Sequence, residues 1–186
     1  MTALYIVLAV VVVIVLWIIA LYNGLVRLNN RTKEGWSDID VQLKRRHDLI
    51  PNLVNSVKGY MEHEKSLLEK VTELRSQAVS AQEGGNTAEL SAIENQLGGM
   101  LGKLQIAVEA YPDLKANTNV AQLMDELSDT ENKIQAARRF YNGMVRDFNT
   151  KIETFPNSMF VGMLNFKAYE YFEAAEGEKE NVEVKL

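Results

Sequence analysis

The sequence predicts an all-α protein in which an N-terminal transmembrane helix continues into an antiparallel four-helix bundle. Three observations predict it. Residues 1–26 carry no charge, so all 20 Lys and Arg and all 25 Asp and Glu lie beyond them. After that point apolar residues recur three and four apart, the spacing of one helix face, and no strand-like alternation competes. Only three prolines occur, Pro51, Pro112 and Pro156, each near an apparent segment boundary. The chain thus divides into an anchor over 1–26, a helical bundle over 27–172 and an acidic tail over 173–186. That tail has little apolar content and is expected to be disordered.

Residues 3–21 form an apolar run of about 28 Å as a helix, close to a bilayer core of about 30 Å. Trp17 and Tyr22 near one end and Tyr5 near the other suit the interfaces. A cleaved signal peptide would want a basic start and a small-x-small site, and Met1-Thr2 supply no basic side chain. Arg27, Arg31 and Lys33 follow the span and are expected to meet anionic headgroups. In a bacterial inner membrane, the positive-inside rule then places the N-terminus outside and the C-terminal domain in the cytoplasm.

The first bundle helix carries Leu25, Leu28, Trp36, Ile39, Leu43 and Ile50, with Thr32 needed on the same stripe. Pro51 is expected to kink or end it, and Asp48 to cap the next helix. The second helix, about 51–80, carries Leu53, Val57, Met61, Leu68, Val71, Leu74 and Ala78, and stops at Gly84-Gly85. Thr87 reads as the cap of the third, which carries Leu90, Ile93, Leu97, Leu101, Leu104 and Val108. After a loop at 111–117, Asn119 reads as the cap of the longest helix, from Val120 to Ile152. Residues 159–164 are apolar and are expected to fold back onto the bundle.

Composition removes several chemistries. There is no cysteine, so disulfides, thiolate zinc sites and iron–sulfur ligation drop out. A formal net charge of -5 argues against nucleic-acid binding, which needs a basic surface. His47 and His63 lie in no HExxH pattern, and no nucleophile–base pair stands out, so no metal, cofactor or catalytic residue is expected. The charged residues Asp38, Asp40, Arg45, Arg46 and Asp48, with Glu131, Arg138, Arg139 and Asp147 on the last helix, read first as solvated helix faces and second as an inter-helix ion network or docking face. Gly98, Gly99 and Gly102 sit inside a helix at about 1 kcal/mol each against alanine; they read first as local flexibility or internal close packing and second as a smooth face where another helix or protomer approaches.

The residues also carry a resemblance. It runs through Tyr22-Asn23, Trp36-Ser37-Asp38-Ile39-Asp40-Val41-Gln42-Leu43-Lys44-Arg45-Arg46, Asp48-Leu49-Ile50-Pro51-Asn52-Leu53-Val54 and Val57-Lys58-Gly59-Tyr60. It continues in Tyr111-Pro112-Asp113-Leu114-Lys115-Ala116-Asn117, Ala137-Arg138-Arg139-Phe140-Tyr141-Asn142, Phe155-Pro156 and residues 166–173. In these the chain resembles the LemA family of bacterial membrane-anchored helical proteins. The resemblance implies a single-pass anchor, a cytoplasmic antiparallel bundle and no established enzyme activity. It implies no catalytic residues, and tyrosine in many relatives at position 47 argues further against a metal role for His47. The expected function is a non-enzymatic scaffold or oligomerising module. The alternative is an adaptor or regulator of a membrane protease. Expected partners are the lipid bilayer, a second copy of the chain, and a membrane protease or other envelope protein. The strip Trp36, Asp38, Asp40, Arg45, Arg46, Asp48, Asn52, Lys58 and Tyr60 is the expected docking or packing surface.

Overall fold

A computed structural model describes residues 1–172. The acidic tail expected over 173–186 lies outside the described residues. Among the described residues there are helices and turns and no strand. The helices are α1 (Thr2–Val57), α2 (Lys65–Gly84), α3 (Thr87–Glu109), α4 (Pro112–Lys115), α5 (Thr118–Glu153) and α6 (Ser158–Val161), with one 3-10 turn at Glu62–Glu64.

α1 has 56 residues and would be about 84 Å long as an ideal helix. Its first part is long and apolar enough to cross a membrane, and almost none of it is buried within the protein. The rest turns one stripe inward: Leu21, Leu25, Thr32, Gly35, Ile39, Leu43, Arg46, Ile50, Leu53 and Val57. Steps of three and four along that list, with one of seven from Leu25 to Thr32, are the seam of a coiled coil. Thr32 does lie on the stripe, fully buried, its hydroxyl donating to the Leu28 carbonyl at 3.0 Å.

α5 supplies the matching seam through Leu127, Thr130, Ile134, Arg138, Tyr141, Val145, Phe148 and Ile152. It runs antiparallel to α1, with Leu25 clustered on Phe148 and Gly35 against Phe140 and Tyr141. α2 and α3 form a second antiparallel pair, and α2 also packs on α1. The four long helices make the expected bundle, but the pairs differ in length. Gln82, near the end of α2, bonds Asp40, so α2 and α3 cover α1 only from about residue 40 onward. Nearer the apolar segment, α1 and α5 stand as a two-helix neck.

Three boundaries differ from the sequence reading. The first helix does not end at Pro51 but runs six residues further, so Asp48 caps nothing and α2 begins at Lys65. Asn86 caps α3 in place of Thr87, accepting from the Glu89 amide at 3.1 Å and donating to its carboxylate at 3.2 Å. This places Glu89 at the third helical position, where its carboxylate holds the side chain that caps its own amide. Asn117 caps α5 in place of Asn119, accepting from the amides of Asn119 and Val120. Gly85 ends α2 at φ 69°, the left-handed conformation that glycine enters without strain.

The core falls into three clusters. The distal one joins Ile50, Leu53, Val57 and Met61 to Val71, Leu74, Leu97, Leu104 and Leu114. The middle one holds Ile39, Leu43, Leu90, Ile134, Tyr141, Val145 and Phe172. The one nearest the apolar segment holds Leu21, Leu25, Phe148 and Ile152, with Val161, Leu164 and Phe166 packed on it. The expected fold-back of residues 159–164 is therefore present. Beyond it the chain runs back along α5 to Phe172.

Candidate functional site: a buried ion network between two apolar cores

Arg46 and His47 lie on α1 between Leu43 of the middle cluster and Ile50 of the distal one. Glu94 on α3 lies between Leu90 and Leu97, and Glu131 on α5 between Leu127 and Ile134. Each helix thus brings a polar residue to the same layer. Arg46 is 2 % exposed and Glu94 3 % exposed. The Arg46 Nη1 donates to Glu94 Oε2 at 2.7 Å, and its Nη2 pairs with the Glu131 carboxylate. His47 Nε2 shares a hydrogen bond of 2.6 Å with Glu94 Oε1. Both oxygens of Glu94 are engaged from within the bundle.

Burial pulls the Arg46 guanidinium below its ordinary value. Glu94 opposes this by charge and hydrogen bond, and Arg138 adds to the lowering. A charge removed from water needs such partners, because unpaired it would cost several kcal/mol. Chemically, a closed arginine–glutamate–histidine layer sets which residues of three helices stand level with one another. The expectation that Arg46 and Arg138 lie on solvated faces is overturned for both. Arg138 is buried with its guanidinium 5.1 Å from the Phe172 ring centroid. Among the described residues no group of three or more His, Asp or Glu could hold a metal.

The same region explains Pro51. Proline has no N–H, so the His47 carbonyl four residues earlier lacks its helical donor. Arg75 of α2 supplies one, its Nε donating to that carbonyl at 3.1 Å. The helix continues because a residue 28 positions away completes its ladder.

The rest of the charged strip faces outward. Asp38, Asp40, Arg45, Asp48, Asn52, Lys58 and Tyr60 are exposed, and Trp36 is half-buried against Tyr141 and Phe172. Asp48 pairs with Lys44 at 3.2 Å and Arg45 with Glu126 at 3.6 Å. Lys58 borders an open groove of about 640 Å³ at the distal end, floored by Val54, Met61 and Leu68. Arg27, Arg31 and Lys33 are exposed on α1 beyond the apolar run.

Within the chain the three α3 glycines have room around them. A Cβ at Gly98 would meet only the Glu131 carboxylate at 3.9 Å, and at Gly99 or Gly102 nothing within 4 Å. No close-packed face forms there within the chain. Close approach occurs instead at Gly35, where a Cβ would stand 3.1 Å from the Phe140 ring and 3.2 Å from the Tyr141 Cα.

Sequence reasoning also missed two asparagines. Asn149 bonds both the N–H and the carbonyl of Tyr169, at 3.0 and 2.9 Å. Asn142 does the same for Phe172, at 2.9 Å each. Tyr141 donates to the Glu170 carbonyl and Tyr169 to Asn29. The segment 166–172 is thereby strapped along the neck. Asn142 and Asn149 are seven apart, two turns on one face, which is the available signal.

Comparison with known proteins agrees with this architecture. The LemA family matches over residues 35–186. Protein LemA of Metamycoplasma hominis is 32% identical over 161 residues, covering 87% of this chain and 73% of that protein. Magnetosome protein MamQ 2 of Paramagnetospirillum magneticum is 25% identical over 177 residues, and magnetosome protein MamQ of Magnetospirillum gryphiswaldense is 26% identical over 176. These cover 82% and 81% of this chain, which spans 64% of the length of each magnetosome protein. With its apolar N-terminal helix and helical domain, the chain is a membrane-associated helical protein and belongs to the LemA family.

Proposed function

We propose that the protein is a non-enzymatic scaffold that holds a helical surface at a fixed stand-off from the inner membrane, on its cytoplasmic side. The observation that carries this is the continuity of α1 from the apolar run to the distal tip. An anchor and a bundle sharing one helix present their surface at a set height and angle. The buried charges support the reading, since Glu94 gives both its oxygens to partners inside the bundle. The exposed basic residues Arg27, Arg31 and Lys33 support the orientation.

The exposed stripe Asp38, Val41, Arg45, Asp48 and Asn52 mixes both signs around an apolar residue. A second copy of the chain, tethered in the same bilayer, fits such a stripe. Crosslinking in native membranes tests this through Val41→Cys. The reading expects a disulfide-linked homodimer. A monomer that instead co-purifies stoichiometrically with a membrane protease would replace it with the adaptor reading. Orientation is tested by an impermeant thiol reagent on Ile106→Cys, which is exposed at the distal end. Labelling of intact cells with only the outer membrane opened would reverse the cytoplasmic assignment.

A further inference from the structure

Residues 154–166, between Glu153 and Lys167, are the longest uncharged run after the N-terminal one. They contain α6 and the turns on either side. Their apolar side chains divide into two sets. Phe160, Val161 and Leu164 pack inward toward Trp17, Leu21 and Leu25. Phe155, Met159 and Met163 point away from the protein at 75 %, 65 % and 84 % exposure. Three large apolar side chains so exposed within nine residues need an apolar environment.

Position along α1 says which environment. The Phe160 ring sits edge-on to Trp17 with centroids 5.5 Å apart. Trp17 lies inside the apolar run, about 6 Å from its end at Leu21 and about 15 Å before the first charge, Arg27. If residues 3–21 cross the bilayer, Trp17 lies within it, and so does a ring packed on Trp17. Tyr22 and Phe166 make the next contact up, at 6.3 Å. Lys167 then returns the chain to charged residues.

The backbone of the turn is compatible with low water. Ser158, Met159, Phe160, Val161, Met163 and Leu164 all donate their amides to carbonyls within the segment. Pro156 has no amide to satisfy. Asn157 is buried and donates its side chain to the Lys151 carbonyl at 2.9 Å. Unpaired backbone groups are what keep irregular turns out of lipid, and these six amides are paired.

We propose that residues 155–164 are a second membrane-inserting element, a short apolar wedge seated in the leaflet beside α1, with Phe155, Met159 and Met163 among the acyl chains. This rests on α1 spanning the membrane. The protein would then hold the bilayer at two adjoining places and resist tilting about the single span.

The chain has no cysteine, so single ones can be placed at 155, 159 and 163, at Ile19 in the span and at Ile106 at the distal tip. Each full-length protein is labelled with an environment-sensitive fluorophore in phosphatidylcholine–phosphatidylglycerol vesicles. Quenching by lipid-borne nitroxides is compared with quenching by aqueous iodide. The proposal expects positions 155, 159 and 163 to lose emission to the lipid quencher as position 19 does, and position 106 to respond to iodide alone. Lipid quenching at 19 with iodide quenching at 155, 159 and 163 would overturn the wedge and leave the span standing. Iodide quenching at 19 as well would overturn the span itself. Shielding of the three from both quenchers, relieved by diluting protein in lipid, would assign the patch to a second copy and overturn the wedge.

Discussion

The two ends of the bundle solve the same packing problem with different materials. The distal head has four helices, an aliphatic core of Leu, Val and Ile, and one polar layer through Arg46, Glu94 and Glu131. The neck has two long helices, α1 and α5, and closes its open side with aromatic rings and a strap. Phe148 touches Phe166 and Tyr169 edge-on, and Trp36 meets Tyr141 and Phe172. The contrast teaches what a missing helix pair costs. Where α2 and α3 stop, large rings cover the area they would have covered, and Asn142 and Asn149 satisfy a segment that has no ladder of its own.

The largest effect should come from the head. Arg46→Ala leaves Glu94 buried and short of its main partner, and should cost about 3–5 kcal/mol in denaturant unfolding followed by circular dichroism. Arg46→Met combined with Glu94→Leu should be less damaging than Arg46→Ala alone, because no buried carboxylate is left without its arginine, and Glu131, half exposed, turns to water. A double variant that is worse would show the charges contribute beyond mutual compensation.

The neck has its own sensitive point at Gly35. Gly35→Val forces side-chain atoms against Phe140 and the backbone at Tyr141, and should cost about 1–3 kcal/mol by overpacking. The matching change at Gly102, which meets nothing, should be neutral or stabilising in the same melt.

Pro51 allows a finer test. Arg75→Met should cost about 1–3 kcal/mol, leaving the His47 carbonyl without a donor. In a Pro51→Ala background the new amide supplies that donor, so the same Arg75 change should cost much less. Equal costs in both backgrounds would refute the ladder-completion account.

Smaller still is release of the strap. Asn149→Ala should remove about 1 kcal/mol and speed amide exchange at Tyr169 before any change in the head. A further effect appears only in alkali. Burial pushes the Tyr141 hydroxyl up to about 12, with Tyr169 and Glu170 adding to it. A pKa raised in the fold means the neutral hydroxyl stabilises it. That contribution is whole below about pH 10, the unfolded value, and fades as pH climbs toward 12. Tyr141→Phe should flatten this limb of the stability–pH curve.

Much of the head and neck was legible from periodicity. The apolar run, the buried stripe with Thr32 on it, the four long helices and the turn at Gly85 all follow from local rules. What was not legible depended on distant residues. The continuity of α1 through Pro51 rests on Arg75, and no window around Pro51 contains it. The ion network was partly readable. Arg46 and Glu94 occupy stripe positions between leucines and isoleucines, and a charge at such a position signals a buried partner. Density of charge around residues 38–48 masked it. The glycines teach the same lesson: Gly98, Gly99 and Gly102 stand out as a cluster, whereas Gly35 is tightly packed because of what lies opposite.

The central claim is that anchor and bundle are one rigid helix. Spin labels at Ile14→Cys in the span and Gln96→Cys on the exposed face of α3 lie about 50 Å apart along the α1 axis. Pulsed dipolar spectroscopy on one labelled chain per lipid nanodisc measures that separation directly. The account predicts a single narrow distribution near that distance, whereas a broad one, or two populations, would contradict it and place a hinge between the membrane and the bundle.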